Sequence, residues 1–471
     1  IDPRIPAGAI YNTLYSPAIN DSGQVAYRAK WKAGRVSGYG VFVGGTLVSA
    51  VGDEPPGFPG DPIKSLGDPQ INSEGEVAFL ASMVSKARAV FTDQGGSLAL
   101  AVQNGAPAPG LAGAELGSVR SFLLTDTALH WQTILKSGPG GVSRANDAVL
   151  YRWSPGSGNE LALREGQSVG PLGTLKSFKT LKASAPGGAQ SRYAGPGDGV
   201  LVVASFTDKS KGVISVVPGA VTEIVHSGTA VPGDPAGATF NSFGLPFGAN
   251  GDWVGGLAKL KSGVGGVTSA DATVILAGEP GSDYLNLVAR QGDFATDEAG
   301  APLGGVQFKG FKEPVFSPEG DAAFLATLKG TVTKTDDSGI WSRPAESMAP
   351  LLLAREGGAV AEADPVETWA KFTALAQPGG STGPLIGGAL TGATVTRAND
   401  AGLWGVDSAG DLRLLLREGA TVDGKTVKTI HVLKVVAGSL GVTRSFNDHG
   451  EVVALVGFAN GSSAIVRVVV P

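Results

Sequence analysis

The residue types that most often carry out chemistry are sparse in this sequence and show no metal-binding spacing. The four histidines are His130, His226, His431 and His449, and none forms the H-E-x-x-H pair that holds zinc on a helix. Cysteine is absent, which excludes a disulfide framework and a thiolate metal site. We therefore assign no catalytic residue and no metal ligand from the sequence. A Ser-His-Asp assembly stays open, because its members can lie far apart in a chain.

Two adjacent pairs of acidic residues are the candidates for a cation site. Asp336-Asp337 and Asp297-Glu298 offer the carboxylate oxygens that Ca²⁺ prefers, but neither pair shows the spacing of an EF-hand loop. We favour a protein without a cofactor and keep Ca²⁺ as the alternative.

The candidates for ligand binding lie in two irregular segments, ASAPGGAQSRYAGPGDG (residues 183–199) and AGSLGVTRSFNDHG (residues 437–450). These segments bring aromatic, basic and acidic groups to places where the rest of the sequence has short turns. Long loops on a rigid scaffold often carry function, although solvated loops without function explain them equally well. The predicted binding residues are Arg192, Tyr193, Asp198, Arg444 and His449.

A repeated unit must position these residues. Residues 311–357 read as four short β-strands separated by SPEG, a polar loop and a Pro-rich turn, and most of the chain consists of degenerate copies of this stretch. Asn20 in the first copy and Asn447 in the eighth are 427 residues apart, or 61 per copy. The 72 glycines and 29 prolines fit many short strands joined by tight turns.

The repeats predict an all-β fold, an eight-bladed β-propeller with four strands in each blade, and seven blades are the alternative. We expect residues 1–471 to form a single propeller domain. The last copy lacks a fourth strand after SSAIVRVVVP, so we expect the ring to close near the N-terminus, with residues 1–5 beside residues 464–470. An open strand edge there would be a possible assembly contact.

Two further patterns recur within the copies. The fourth strand ends in Arg-Glu-Gly at residues 164–166, 355–357 and 417–419, and this repetition indicates a scaffold role. Four blades carry a longer loop between the second and third strands, in which we expect Asn146, Asp271, Asp337 and Asn399 to cap turns. A binding role for these loops is the alternative. We expect Arg144, Lys334 and Arg397 in these loops to share one face.

The turn-and-strand stretches INDSGQVAYRA, INSEGEVAFLA and FSPEGDAAFLA resemble the tandem repeat N-x-x-G-x-x-A-F of bacterial surface or exported proteins. The resemblance covers essentially the whole chain and implies a propeller outside the cytoplasm: extracellular, at the cell surface or periplasmic. It implies no catalytic residue. The chain departs from that family in ending at VRVVVP without an anchor helix.

Composition limits the classes of function. No window of 18 apolar residues is present, so we expect no transmembrane segment. The net charge of −5 is small and forms no block of one sign, which gives no footprint for nucleic acid. The first residue is Ile1, which fits a trimmed start or a mature exported form.

Two functional classes remain. We favour an exported, non-enzymatic propeller that binds a protein or glycan partner or packs into a surface assembly. The alternative is a propeller hydrolase or lyase that acts on a polysaccharide or lactone at the channel mouth, with carboxylates such as Asp198 and Asp448 as acid and base.

Overall fold

The computed structural model describes residues 2–179, 194–195, 199–233, 237–244, 247–248, 253–279, 285–312, 314–347, 349–363, 366–432 and 445–471. These residues form eight antiparallel sheets. The architecture is an eight-bladed β-propeller, which confirms the predicted fold class and the predicted number of blades. No helix in the described part of the chain is long and apolar enough to cross a membrane.

The strands follow one another blade by blade. Blade 1 contains β1 (Ile10–Leu14), β2 (Ala18–Ile19), β3 (Val25–Ala33), β4 (Val36–Val43) and β5 (Thr46–Ala50). Blade 2 contains β6 (Ile63–Leu66), β7 (Gln70–Ile71), β8 (Val77–Met83), β9 (Arg88–Thr92) and β10 (Ala99–Gln103). Blade 3 contains β11 (Leu116–Leu124), β12 (Leu129–Leu135), β13 (Ala148–Ser154) and β14 (Gly158–Arg164). Blade 4 contains β15 (Leu175–Lys179), β16 (Ala194–Gly195), β17 (Gly199–Phe206), β18 (Lys211–Val217) and β19 (Ala220–His226).

The second half of the ring repeats this order. Blade 5 contains β20 (Phe240–Phe243), β21 (Phe247–Gly248), β22 (Val254–Leu260), β23 (Thr273–Gly278) and β24 (Asn286–Arg290). Blade 6 contains β25 (Phe294–Thr296), β26 (Pro302–Phe311), β27 (Val315–Phe316), β28 (Ala322–Gly330), β29 (Ser338–Arg343) and β30 (Leu351–Arg355). Blade 7 contains β31 (Thr368–Ala376), β32 (Leu385–Thr391), β33 (Ala401–Val406) and β34 (Leu412–Arg417). Blade 8 contains β35 (Thr421–Val422), β36 (Lys425–His431), β37 (Glu451–Phe458) and β38 (Ser463–Val469). Two 3-10 turns, Pro139–Gly141 and Gly170–Leu172, lie in connections.

Each blade pairs its first, second and third strands in sequence order. In five blades a short second piece of the first strand, such as β2 or β27, also pairs with the second strand. β25 and β35 are hairpin partners of the first strands β26 and β36. The short strand β2 lies beside β7 and β37, so these pieces line the inner side of the ring.

The apolar core lies between blades because the second strands are apolar on both faces. Phe79 of β8 packs into a cluster shared with blade 1, whereas Leu80 packs into a cluster shared with blade 3. A strand with this composition is stable only when it is covered on both sides. The stacking of blades therefore stabilises each sheet.

In several blades the turn before the second strand has a local cause. In blade 2, Oδ1 of Asn72 accepts the backbone N–H of Glu76 at 2.9 Å, and Gly75 takes a φ of 84°. Gly450 takes the equivalent conformation in blade 8, with a φ of 73°. Glycine adopts this left-handed conformation without a steric penalty.

The ring closes between blades 8 and 1. β1 is the strand that lies beside β38, whereas Ile5 packs against the apolar cluster of blade 1. Arg4 donates to Asp53 at 2.7 Å and to the carbonyl of Leu47 at 3.1 Å. The N-terminal region joins the ring, but the prediction for residues 1–5 is wrong in its position: residues 10–14, and not residues 1–5, form the strand that lies beside β38.

Candidate binding surface

The connections between first and second strands open at one face of the ring and surround its centre. We call this surface the turn rim, and its described part comprises residues 20–24, 72–76, 125–127, 317–321, 378–382 and 447–451. Both irregular segments that carry the predicted binding residues belong to connections of this kind. The turn rim is therefore the first candidate for a binding surface.

Hydrogen bonds join the turns of neighbouring blades along the turn rim. Nδ2 of Asn447 donates to the carbonyl of Asn20 at 3.1 Å, and Nδ2 of Asn20 donates to the carbonyl of Asn72 at 2.9 Å. Nδ2 of Asn72 continues the series to the carbonyl of Thr125 at 3.3 Å. The same side-chain type thus links the turns of blades 8, 1, 2 and 3 into one hydrogen-bonded belt.

Carboxylates add a second set of links between blades. Oδ1 of Asp21 accepts the N–H of Asp448 at 3.0 Å, and Oδ1 of Asp448 accepts the N–H of Gly379 at 2.9 Å. Glu319 accepts the N–H of Gly380 at 3.1 Å. These acids hold the ring together as well as facing solvent.

The turn rim is acidic in its described part, which contains no lysine or arginine. Its carboxylates are Asp21, Glu74, Glu76, Asp126, Glu319, Asp321, Asp448 and Glu451. His449 is exposed among them, and its backbone N–H donates to Oδ1 of Asn447 at 3.1 Å. The other predicted binding residues, Arg192, Tyr193, Asp198 and Arg444, lie outside the described residues.

The opposite face carries the longer connections between second and third strands. We call it the loop rim, comprising residues 136–147, 261–272, 331–337 and 392–400. Each loop contains a Ser or Thr whose backbone N–H donates to the Oδ1 of an Asn or Asp three residues later. The pairs are Ser143 with Asn146 (2.7 Å), Thr268 with Asp271 (2.6 Å), Thr333 with Asp336 (2.5 Å) and Thr396 with Asn399 (2.6 Å).

Three of the four predicted turn caps are therefore confirmed, and one is wrong. In blade 6 the capping residue is Asp336 and not Asp337. Both side chains suit a turn, and only the backbone path brings Asp336 within reach of Thr333.

In the four blades that carry these loops, an arginine at the end of the fourth strand holds the loop in place. Its Nε donates to the backbone carbonyl of the capping residue. The pairs are Arg164 with Asn146 (3.0 Å), Arg290 with Asp271 (3.0 Å), Arg355 with Asp336 (2.9 Å) and Arg417 with Asn399 (2.8 Å). We call each such pair a clamp: it consists of the arginine, which belongs to the recurring Arg-Glu-Gly in three of the blades, and the capping residue whose carbonyl the arginine binds. We missed the capping residue as its partner in the sequence, although the two are 18 or 19 residues apart in all four blades.

Where the capping residue is an aspartate, the clamp includes an ion pair. Nη2 of Arg355 lies 2.9 Å from Oδ2 of Asp336, and Nη2 of Arg290 lies 3.0 Å from Oδ2 of Asp271. Hydrogen bonds from Thr333, with the charge of Arg355, hold the pKa of the Asp336 carboxyl below its usual range.

The glutamate that follows the clamp arginine lies near another carboxylate in three blades. In blade 6, burial raises the pKa of Glu356, and Asp337 adds to the shift. Burial raises the pKa of Glu418, and the adjacent Asp400 adds to the shift. Burial likewise raises the pKa of Glu165, with a contribution from Asp147. In blade 5 the equivalent residue is Gln291, whose Oε1 accepts the N–H of Thr273 at 3.2 Å.

The loop tips carry exposed basic residues. Arg144, Lys334 and Arg397 each follow the Ser or Thr of a capped turn, and blade 5 has Ser269 at the same place. Because these loops join equivalent strands, the three basic side chains share the loop rim. One face of the ring is thus acidic around its centre, and the other presents separated basic tips.

The two acid pairs proposed for Ca²⁺ have other roles in the structure. Asp336 caps its turn, and Oδ1 of Asp297 accepts the N–H groups of Ala299 and Ala301 at 3.0 and 2.8 Å. Among the described residues, no three His, Cys, Asp or Glu side chains come together as a metal site.

Three enzyme-like motifs that we overlooked in the sequence lie in a different structural setting from their usual one. Residues 166–170 and 379–383 match G-x-S-x-G, but neither joins a strand to an α-helix, as a nucleophile elbow does. Residues 419–426 match G-x-x-x-x-G-K-[ST]. There Thr421 pairs with Thr426 in a β-hairpin, so the segment does not form a phosphate-binding loop before a helix.

The fold and the two rims define the class of this protein: it is an eight-bladed β-propeller with roughly four strands in each blade. The family of unknown function DUF7453 matches residues 3–128 and 140–471. The chain therefore belongs to the DUF7453 family. No curated protein matches the sequence.

Several solved structures are similar to the chain at a coarse level. The WD40 domain of SCAP from fission yeast is 8% identical with a TM-score of 0.38, and the match covers 98% of this chain and 96% of that one. Sqt1 from Saccharomyces cerevisiae is 9% identical with a TM-score of 0.34, covering 98% and 97%. Prolyl oligopeptidase B from Galerina marginata is 9% identical with a TM-score of 0.37, covering 97% of this chain and 55% of the peptidase. Such distant similarity concerns the fold and carries no argument about function.

Proposed function

We propose that this protein is an exported, non-enzymatic β-propeller that binds a protein or glycan partner at the turn rim. The observation that carries the proposal is the belt of Asn side chains, in which Asn447, Asn20 and Asn72 each bond to the next blade. A belt of this kind fixes the spacing of the exposed side chains around it. Rigid presentation lowers the entropic cost of binding.

The rim's polar character sets what the partner must offer. Exposed carboxylates such as Asp126 and Glu319 suit hydrogen-bond donors, including sugar hydroxyls and basic side chains. The predicted residues Arg192, Tyr193, Asp198, Arg444 and His449 would add aromatic and basic contacts. Tyrosine and arginine are common hot-spot residues in interfaces.

The test compares the two rims. The purified full chain is screened on a glycan array and by cross-linking to a cell-envelope protein fraction, and each hit is measured by calorimetry. We expect the triple variant Tyr193→Ala, Arg444→Ala and His449→Ala to weaken binding by about tenfold or more. The matched control on the loop rim, Arg144→Ala with Lys334→Ala and Arg397→Ala, should bind as the unmodified chain does.

Equal binding by both triple variants would contradict the proposed site. Turnover of a polysaccharide or lactone by the unmodified chain, lost in Asp448→Asn, would instead favour the hydrolase or lyase alternative. Export is tested separately by fractionating the source cells, and a purely cytoplasmic protein would contradict that part of the proposal.

A further inference from the structure

The clamps of the loop rim bring two acidic side chains together in blades 3 and 7. In blade 3, Asp147 follows the capping residue Asn146, and Glu165 follows the clamp arginine. In blade 7 the equivalent residues are Asp400 and Glu418. We call these two sets of side chains the carboxyl pairs. They lie outside the turn rim, so their role is separate from binding there.

Backbone hydrogen bonds fix both members of each carboxyl pair. The carbonyl of the aspartate accepts an N–H from the second strand of the blade, from Leu135 to Asp147 at 2.8 Å and from Leu390 to Asp400 at 2.7 Å. The N–H of the glutamate donates to the first residue of the third strand. These bonds join Glu165 to Ala148 (3.0 Å) and Glu418 to Ala401 (2.9 Å). The backbone segments that carry the two acids therefore stay together as long as the strands are paired.

The glutamate side chain turns back toward the aspartate. Oε2 of Glu165 accepts the backbone N–H of Ala148 at 3.3 Å, which places its carboxyl group beside Asp147. The N–H of Ala401 donates in the same way to Glu418. In both pairs a hydrogen bond joins the two carboxyl groups. Because an ionised carboxylate only accepts hydrogen bonds, this bond requires a proton on one member of the pair.

Blade 5 has the same loop without a carboxyl pair. Its clamp is intact, with Arg290 donating to the carbonyl of Asp271 at 3.0 Å. The places of the two acids are taken by Ala272 and Gln291. Oε1 of Gln291 accepts the N–H of Thr273 at 3.2 Å, which is the bond that the glutamate makes in blade 3. The two acids are thus replaced together, and the loop keeps its geometry without them.

The arginines next to the carboxyl pairs are bound to other groups. Nη1 and Nη2 of Arg417 lie 2.7 and 2.9 Å from the carboxylate of Glu367, and Nε of Arg164 donates to the carbonyl of Asn146 at 3.0 Å. The other charged residues of the adjoining segments are Glu115, Lys136, Arg144, Lys176, Asp208 and Lys209 around the pair of blade 3, and Arg397, Asp423 and Lys425 around that of blade 7. Burial and the partner aspartate raise the pKa of each glutamate, whereas the bond from the backbone N–H opposes them.

Solvent reaches the carboxyl pair of blade 3. A cavity of about 390 Å³ lies beside Glu165, between the loop tip at Ala145 and the connection at Gln167. This volume holds several water molecules. A proton can therefore enter or leave the pair while the strands stay paired.

We propose that the carboxyl pairs make the loop rim a pH-sensitive latch, which holds the loops of blades 3 and 7 tightly in acid and loosens them at neutral pH. With one proton in the pair, a hydrogen bond ties the loop to the end of the fourth strand. Without that proton, two like charges lie side by side and only the clamp holds the loop. Such a device lets the loop rim respond to the acidity of its surroundings.

The direction of the response follows from the two states of the glutamate. A carboxyl group whose pKa is higher in the folded state than in the unfolded chain stabilises the fold fully at pH values below the unfolded pKa. This stabilisation is lost as the pH rises through the folded pKa. In blade 6 the side chain of Ser338 donates a hydrogen bond to Glu356 that favours the charged form, so we confine the proposal to blades 3 and 7.

Hydrogen exchange of the full chain at pH 4 and pH 7 tests the latch, with each measured rate divided by the intrinsic rate at the same pH. Protection of residues 143–148 and 396–401 should be about fivefold or more higher at pH 4, because the repulsion between the two carboxylates is then absent. The loop of blade 5, residues 268–273, is the control within the same molecule and should be equally protected at both pH values. Unchanged or lower protection at pH 4 in blades 3 and 7, or an equal change in blade 5, would overturn the proposal.

A double variant separates the carboxyl pair from the fold. Asp400→Ala with Glu418→Gln gives blade 7 the residues that blade 5 has at positions 272 and 291. The loop of blade 7 should then lose its response to pH, whereas the loop of blade 3 keeps it and shows that the ring is folded. Asp423→Asn, which removes an exposed carboxylate from the next hairpin, should leave both responses intact. A response that persists in blade 7 of the double variant, or that Asp423→Asn also abolishes, would refute the role of the carboxyl pair.

Discussion

Asn447 and Asn20 are 427 positions apart in the chain, yet Nδ2 of Asn447 donates to the backbone carbonyl of Asn20 at 3.1 Å. Asn20 makes the same bond to Asn72, in the blade that follows it in the sequence. Closure of the ring at the turn rim therefore uses the bond that joins consecutive blades. Near the centre, blades 8 and 1 are thus joined by the same bond as blades 1 and 2.

Replacing Asn447 by alanine should destabilise the protein by about 2 kcal/mol, because buried partners on two blades lose their hydrogen bonds. Besides the carbonyl of Asn20, these partners are the backbone N–H groups of His449 and Glu451 and the carboxylate of Glu451. Urea unfolding measures the change. Asn460→Ala, which removes only an exposed turn cap, is the control and should cost about 0.5 kcal/mol or less. Equal losses in the two variants would refute the structural role of the belt.

Arg355→Ala should release the loop of blade 6 while the rest of the ring stays folded. The substitution removes the bonds to the carbonyl and carboxylate of Asp336, both at 2.9 Å. Because the pair is partly exposed, we expect a global loss of only about 1 kcal/mol. Hydrogen exchange should rise at residues 331–337. Lys334→Ala, in the same loop but outside the clamp, should leave exchange unchanged, and a rise in both variants would argue against the clamp.

Glu418→Gln should alter the pH dependence of stability in a defined direction. Burial and Asp400 raise the pKa of Glu418 in the folded state. The resulting contribution of Glu418 to the stability of the fold is therefore fully present at pH values below the pKa of this residue in the unfolded chain. The contribution is lost as the pH rises through the folded pKa. Glutamine cannot ionise, and Gln291 shows that an amide fits this place in blade 5. The variant should therefore gain stability relative to the unmodified chain as the pH is raised from 4 to 7.

Thermal unfolding at a series of pH values tests this expectation, with Glu346→Gln as the control. Glu346 lies in the connection after the third strand of blade 6, away from the clamps. A stability difference between Glu418→Gln and the unmodified chain that does not change with pH would contradict the prediction.

Gly402→Ala should destabilise the protein by about 2 kcal/mol, since overpacking a filled core forces neighbours to move. A Cβ there would lie 2.7 Å from the ring of Trp404 and 3.1 Å from the carbonyl of Leu416. Gly304 is the matched control, because it also lies in a strand but a Cβ placed on it would have no atom within 4 Å. Chemical denaturation of Gly304→Ala should show no loss of stability. A loss in Gly304→Ala as large as that in Gly402→Ala would exclude the steric explanation.

The number of blades was predictable because several copies carry two local signals that do not depend on tertiary contacts. Asn72 with Gly75 specifies a turn, and the strand that follows it is apolar on both faces, which requires neighbours on both sides. The clamp was not predictable in the same way. Arg355 and Asp336 meet through the pairing of three strands, and each residue alone resembles an ordinary surface group. Residues 419–426 show the opposite case. Their sequence matches a phosphate-binding loop, but their backbone forms a hairpin.

The clamps also determine how the loop rim can vary. Each capped turn is held by an arginine of its own blade, so a substitution at its tip leaves the other three turns in place. Positions 144, 269, 334 and 397 already hold Arg, Ser, Lys and Arg on the same backbone frame. The loop rim is therefore a set of four interchangeable display sites, into which short recognition sequences can be grafted singly or in combination.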